Sequence, residues 1–404
     1  MTGSLASADV GRHNLALVAG RLAALGSASR SELATATGLA RGSVTALVRR
    51  LEHDGLVRET ASIAPTGKGR PRTLLELSGD HLAILTVLID ADRAVAVASS
   101  LRGERLHRAE RRHGRPMGDP ARVADVAAAV VGELLAELEP AGRRIAEASV
   151  VAWAPVGGDP AVVLADTDLD WGTVDLLALL AERSPTIAAL ARAGRLRLLA
   201  DTAVAAVAEH LDTGRPAELL YLKSDSGIGG AIVVDGAPLD GSHHIAGALG
   251  HLPVVPEGAA CGCGQRGCLV TVAGPDVLLA AAGLDALARE AGLTAALRVF
   301  VDRIRAEEPR AVAAWRSGRA ELARALQILV MAIDPTVIVL GGYLAELADE
   351  LGEALAAIQP GIDGRYLTPP RVLGSRLGAD AALVGAERTA VARLLADPAA
   401  LARD

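Results

Sequence analysis

The sequence predicts an α/β protein with an N-terminal winged helix-turn-helix, and three observations predict it. Residues 1–78 show three stretches of helical periodicity, then two short strand-like runs with a basic tip between them. From His81 onward, apolar runs of strand length alternate with helical stretches, the pattern of a sheet covered by helices. Every cysteine falls between Cys261 and Cys268, a clustering that marks a metal-organised loop inside the α/β part.

The head reads element by element. Leu15, Val18, Leu22 and Leu25 recur at helical spacing from His13, and Gly26 stops that helix. Ser29-Arg-Ser-Glu32 is a capping box, in which hydroxyl and carboxylate satisfy helix-start amides reciprocally. The short helix it opens ends at Gly38. A third helix runs from Arg41 to His53 with Val44, Leu47, Val48 and Leu51 on one face, which turns Gly42, Ser43, Thr45, Ala46, Arg49 and Arg50 outward. Ala40 stands at its N-cap, where Ser or Thr is usual. Asp54-Gly55 ends it; Leu56-Val57-Arg58 and Thr73–Leu77 form a hairpin around the tip Pro65–Arg72.

Such a third helix fits a major groove. Ser43 and Thr45 can meet base edges, while Arg41, Arg49 and Arg50 can take phosphate or guanine. Lys68, Arg70 and Arg72 of the wing can reach a narrow minor groove. Singly, each arginine reads as a solvated helix face. The order of helices and wing together points to a double-stranded DNA operator as partner.

The remainder reads as strands Ala83–Ile89 and Arg93–Ala98, helix Arg122–Leu138, strand Ala148–Trp153 and helix Leu176–Ala181. Strand Leu196–Ala200, helix Thr202–Leu211 and strand Glu218–Lys223 follow, then helix Leu322–Ile333, strand Thr336–Leu340 and a helix around Leu344–Ile358. No fixed-period repeat is visible. No long uncharged apolar run and no hydrophobic leader core occur, so the expectation is a cytoplasmic protein with no membrane partner. Net charge is −7, which argues against an all-over nucleic-acid coat, and 2% aromatic residues argue against base-stacking platforms. Lys68 and Lys223 are the only lysines.

Cys261, Cys263 and Cys268, with His251 ten residues upstream of the first, offer three thiols and an imidazole. That is the donor set of a closed, structural Zn²⁺ site. The odd count and the tight spacing of Cys261 and Cys263 disfavour disulfides.

These residues together resemble the ROK family of bacterial sugar-responsive repressors and sugar kinases. The resemblance is carried by Gly250-His251 with Cys261-Gly-Cys-Gly-Gln-Arg-Gly-Cys268-Leu269, by Ser226–Gly236, by Asp334–Gly342, and by Asp201 after a strand. The Gly69-Arg70-Pro71 wing resembles the repressor branch. The resemblance implies a two-lobed actin- and hexokinase-like ROK domain over residues 79–404. Lobe 1 would span 79–197 plus a C-terminal helix over 378–404, and lobe 2 would span 198–377 with the knuckle at 251–268.

Against the family pattern, the first phosphate loop reads Asp90-Ala91-Asp92-Arg93-Ala94, without glycine. Ala200, Ala248 and Val270 stand where sugar-binding members carry polar residues. Asp201 matches the kinase base position; it either contacts a ligand or caps the helix that follows. The expectation is therefore no enzyme and no catalytic residue. It is a repressor, dimeric or tetrameric, with a sugar-like effector contacted by Asp201 and His251. Two alternatives stay open: a sugar kinase with a regulatory head, and a ligand-independent DNA-binding dimer with a docking platform.

Overall fold

The computed structural model describes residues 7–63, 72–165, 169–358 and 369–401. The head consists of α1 (Ser7–Leu25), β1 (Ser27–Ser29), α2 (Arg30–Thr37), α3 (Arg41–His53), β2 (Val57–Ile63) and β3 (Arg72–Leu77). The capping box is formed: the Ser29 amide donates to Glu32 Oε2 at 2.7 Å, and the Glu32 amide donates to Ser29 Oγ at 3.3 Å. Gly38 closes α2 in the left-handed region, with φ 72°. Strand order β1-β3-β2 completes a winged helix-turn-helix.

The body holds two five-stranded sheets. The first is built from β4 (Leu82–Ile89), β5 (Arg93–Ser99), β6 (Arg105–Arg112), β7 (Arg144–Ala152) and β10 (Leu196–Ala200), in the order β10-β7-β4-β5-β6. Helix α4 (Pro120–Leu138), the hairpin β8 (Val156–Gly157) and β9 (Val162–Val163), α5 (Leu176–Arg183) and α6 (Pro185–Arg192) lie along this part of the chain. Leu196–Ala200 pairs in parallel with Ala148–Ala152, so the first sheet runs to Ala200 rather than ending at 197.

After α7 (Asp201–Asp212) come β11 (Glu218–Ser224), β12 (Ile228–Val234) and β13 (Ala237–Pro238). A helical stretch follows: α8 (Val270–Ala273), α9 (Pro275–Ala282), α10 (Asp285–Ala291), α11 (Leu293–Arg305) and α12 (Pro309–Ile333). Then come β14 (Val337–Gly342), α13 (Ala348–Ile358), β15 (Arg371–Gly374) and α14 (Ala381–Ala396). The second sheet has the order β13-β12-β11-β14-β15. Both sheets carry the same wiring: two antiparallel steps from the outer edge, then two parallel ones. The two-lobed, actin-like architecture behind a winged head is thus present, with a duplication that no repeat in the sequence betrays.

Packing explains how the parts join. Lobe 2 centres on Phe300, Trp315, Leu326 and Leu344, and lobe 1 on Leu85, Val87, Val130 and Val150. Between the sheets, Val204 and Ala205 of α7 and Ala382 and Ala386 of α14 pack with Val97, Val151, Tyr221 and Val339. The head shares one apolar cluster with the body: Leu15, Leu22, Val48, Leu51 and Leu75 pack with Leu82, Ile84, Leu394 and Leu395. Across the same seam, Glu76 of β3 pairs with Arg102 at 2.7 Å while also holding Arg58 of β2 within the head.

Three differences from the sequence expectation have physical reasons. α12 begins at Pro309, not Leu322, because the Glu308 side chain accepts from the amides of Arg310 and Ala311 and Pro sits in the first turn. β6 is absent from the sequence expectation: Arg105–Arg112 is almost wholly polar, as an exposed edge strand can be. Ser184 caps α6, a short helix that periodicity alone leaves out.

Candidate functional site

The four expected metal donors converge. One atom from each of His251, Cys261, Cys263 and Cys268 lies within 4.8 Å of every other. Cys261 Sγ is 3.6 Å from His251 Nδ1, and Cys263 Sγ is 3.6 Å from Cys268 Sγ, far beyond a disulfide. Local sequence makes this possible. Gly267 has φ 70°, and any Cβ there would stand 1.8 Å from the Val255 carbonyl oxygen, so the knuckle closes only on glycine. Bridges Pro253–Cys268 and Ala260–Arg266 tie its two sides. Burial, then hydrogen bonds with Cys263 and Cys261, push Cys268 up to about 12. The four residues could hold a metal.

A second cluster forms where the parallel strands end. In open α/β sheets the carboxyl ends of strands are where ligands bind. Here β4 delivers Asp90, β10 leads into Asp201, and β11 delivers Lys223 and, just beyond, Asp225. Lys223 Nζ lies 2.8 Å from Asp201 Oδ2 and 3.0 Å from Asp225 Oδ2. Ser226 Oγ reaches Asp90 Oδ1 at 3.5 Å, joining the two lobes. Burial, then the charge of Asp225, pushes the Asp90 carboxyl above its ordinary range.

Asp201 is the first residue of α7, whose N-cap is Ala200 with no side-chain bond, so Asp201 does not cap that helix. Its carboxylate is instead spent on Lys223. Sequence reasoning does not single out Lys223. A lone lysine in the apolar strand Glu218–Ser224, two residues before an aspartate, is the signal available. His251 belongs to the metal cluster, so the two expected effector contacts sit in different constellations.

The lobes also meet at the cleft mouth. Arg115 forms two 2.8 Å bonds to the Asp276 carboxylate and a 3.3 Å bond to the Ser226 carbonyl. In the glycine-free loop the Ala91 amide donates to Asp90 Oδ1 at 2.9 Å, while Asp92 pairs with Arg112 at 3.2 Å. Gly230, in the glycine-rich run Ser226–Gly236, and Gly247 serve packing. A Cβ at Gly230 would stand 2.3 Å from the Tyr221 carbonyl oxygen, and one at Gly247 would stand 2.2 Å from that of Gly230.

On α3, Val44, Val48 and Leu51 are buried and Leu47 is half-buried. Arg41, Ser43, Arg49 and Arg50 are exposed. Thr45 is half-buried and donates its hydroxyl to the Arg41 carbonyl at 2.9 Å, leaving it only as an acceptor. Arg50 stands 3.8 Å from Asp54. Ala40 offers α3 no side-chain cap. Lys68 and Arg70 lie outside the described residues, and Arg72 opens β3 with its side chain outside them. Among the described residues, no single helix is long and apolar enough to cross a membrane.

Comparison with known proteins follows this geometry. A sequence profile of the ROK family matches residues 91–392. N-acetylmannosamine kinase of Yersinia pseudotuberculosis serotype O:3 is 32% identical over 49% of this chain and 65% of its own length. That of Yersinia pestis strain Pestoides F is 32% identical over 47% of this chain and 62% of its own. The chain therefore spans less than two thirds of the curated relatives it matches. A solved ROK family transcriptional regulator, a homologue of the E. coli MLC protein, superposes with TM-score 0.73 at 22% identity, covering 97% of this chain and 98% of its own; this shows the fold. A ROK hexokinase from Thermus thermophilus superposes with TM-score 0.56 at 26% identity over 76% of this chain and 97% of its own.

These relatives overturn one expectation. The glycine-free Asp90–Ala94 loop leads to the expectation of no enzyme, yet the curated relatives are named N-acetylmannosamine kinases and a solved neighbour at 26% identity is a hexokinase. The loop is too narrow a basis, because phosphoryl transfer depends on more than one glycine-rich loop.

Proposed function

The chain belongs to the ROK family, and from that membership we propose that it is a DNA-binding transcriptional regulator, a repressor, whose two-lobed body responds to a sugar-like effector. The observation that carries this reading is the head: a winged helix-turn-helix whose third helix presents Arg41, Ser43, Arg49 and Arg50 to solvent. Among the described residues, Arg41 and Arg49 make no ion pair through their side chains, so their charge is available to phosphate or guanine. Lys68, Arg70 and Arg72 would extend the contact into the minor groove.

Coupling runs through one helix pair. Asp201, in the cleft, opens α7; α7 packs on α14; and α14 shares its core with the head. A ligand that prefers one lobe arrangement thereby biases the placement of two heads in a homodimer or homotetramer. His251, Cys261, Cys263 and Cys268 hold a structural Zn²⁺. Two of the donor pairs, Cys261–His251 and Cys263–Cys268, stand 3.6 Å apart, and all four donor atoms lie within 4.8 Å of one another, close enough to share one ion. A Zn²⁺ held by these four residues would neutralise the thiolates and brace the knuckle beside β12.

Footprinting on the DNA upstream of the protein's own operon, with a genomic library alongside, tests the reading. The intact protein should protect a site and an Arg49→Ala/Arg50→Ala variant should not. Equal protection by the two would sink it.

The curated relatives favour a second reading, a sugar kinase bearing a regulatory head. ATP-dependent phosphorylation of N-acetylmannosamine or a hexose, abolished by Asp201→Asn, would establish it.

A further inference from the structure

Lys223 is one of two lysines in the chain, and its side chain is only 14% exposed. A buried ammonium needs compensation, and it has two carboxylates, Asp201 at 2.8 Å and Asp225 at 3.0 Å. Burial works against the charge, and Asp201, Asp225 and Asp90 outweigh it, so the group stays protonated. The pairing is asymmetric in place. Asp225 lies just past the end of β11, the strand that carries Lys223, whereas Asp201 is the first residue of α7, beyond the end of β10, with its side chain only 6% exposed.

We propose that Lys223 is a specificity-determining residue of the cleft, a tethered competitor whose ammonium occupies the Asp201 oxygen that a neutral ligand hydroxyl would otherwise reach. This inference rests on reading Asp201 as the effector contact. A hydroxyl arriving at Asp201 must displace a charge-assisted bond of comparable strength. The exchange is close to balanced, and the displaced ammonium is retained by Asp225. The wild-type cleft therefore binds neutral hexoses weakly and selects ligands whose remaining contacts tip the exchange.

The test replaces the competitor without changing net charge. In Lys223→Met/Asp225→Asn, one cation and one anion leave together and Asp201 keeps a free oxygen. Calorimetry with glucose and with N-acetylmannosamine, on the full-length protein, should show binding about 10- to 100-fold tighter than wild type for at least one of them. Lys223→Met alone should gain less, because it leaves Asp201 and Asp225 without their shared cation and one of them takes up a proton. A folded double variant that binds both sugars no better than wild type, or not at all, overturns the proposal. Weaker binding also overturns it, since Lys223 would then be a direct donor to the ligand. The footprint of the Arg49/Arg50 face does not depend on Lys223, so the failure of this inference and of the regulator reading can be told apart.

Discussion

Gly385→Ala measures how tightly α14 is pinned to α7. A Cβ at Gly385 would lie 1.8 Å from the Val204 carbonyl oxygen and 2.5 Å from its carbon. Normal carbon–oxygen approach is about 3.3 Å, so the overlap is about 1.5 Å. Both partners are helix backbone, and neither can rotate away as a side chain would. The helices must part or slide, which places the substitution at the upper end of overpacking costs, about 3 kcal/mol. Alanine's better helix propensity offsets about 1 kcal/mol of that. Net destabilisation of about 2 kcal/mol follows, a drop of a few degrees in Tm.

The molecule supplies its own controls. Gly132 lies inside α4, exposed, with nothing within 4 Å of an added methyl, so Gly132→Ala should stabilise by about 0.5–1 kcal/mol. Gly318 faces the movable Leu278 Cδ2 at 2.7 Å, and Gly318→Ala should be nearly neutral. Thermal unfolding of the three single variants, side by side with wild type, reads the signs. If Gly385→Ala proves as stable as Gly132→Ala, the close helix contact is absent and the coupling route through it fails.

Three further outcomes are expected. Protein purified without chelator should carry about one zinc per chain by elemental analysis; Cys263→Ser should fall well below that and unfold at lower temperature. Asp90 holds its proton more tightly folded than unfolded, so the stability it contributes is full at acid pH and is lost as pH rises through its elevated pKa. Wild type should therefore lose stability relative to Asp90→Asn as pH climbs from about 4, read by Tm across pH 4–8. Arg115→Ala removes a half-exposed clamp to Asp276, so stability should change by less than about 1 kcal/mol; small-angle scattering should nonetheless report a more open pair of lobes.

What is legible in the sequence is local. The knuckle can be read because its donors lie within eighteen residues, His251 to Cys268, spaced by glycines that only a tight turn explains. α3 can be read because its apolar period and its arginines occupy opposite faces, and the structure gives it the same bounds. What is hidden depends on distance along the chain or on edges. Arg115 and Asp276 meet across 161 residues, and no pattern links them. β6 carries too little apolar alternation to read as a strand. Asp201 is visible, but the partner that defines it, Lys223, sits inside an apolar run that masks it. A buried lysine makes sense only once its carboxylates are in view, and those come from different strand ends.

The apolar cluster shared by head and body has a mechanical consequence. Leu15, Leu22 and Leu51 are fully buried in the same cluster as Leu82, Ile84 and Leu394, so the helix α3 has no joint of its own. Swinging the head free would expose several such side chains, at about 1.5–3 kcal/mol each. The head is thus the jaw of a caliper, moving only as far as the whole first lobe moves. In an oligomer, the reach between two jaws would be dialled where the subunits meet.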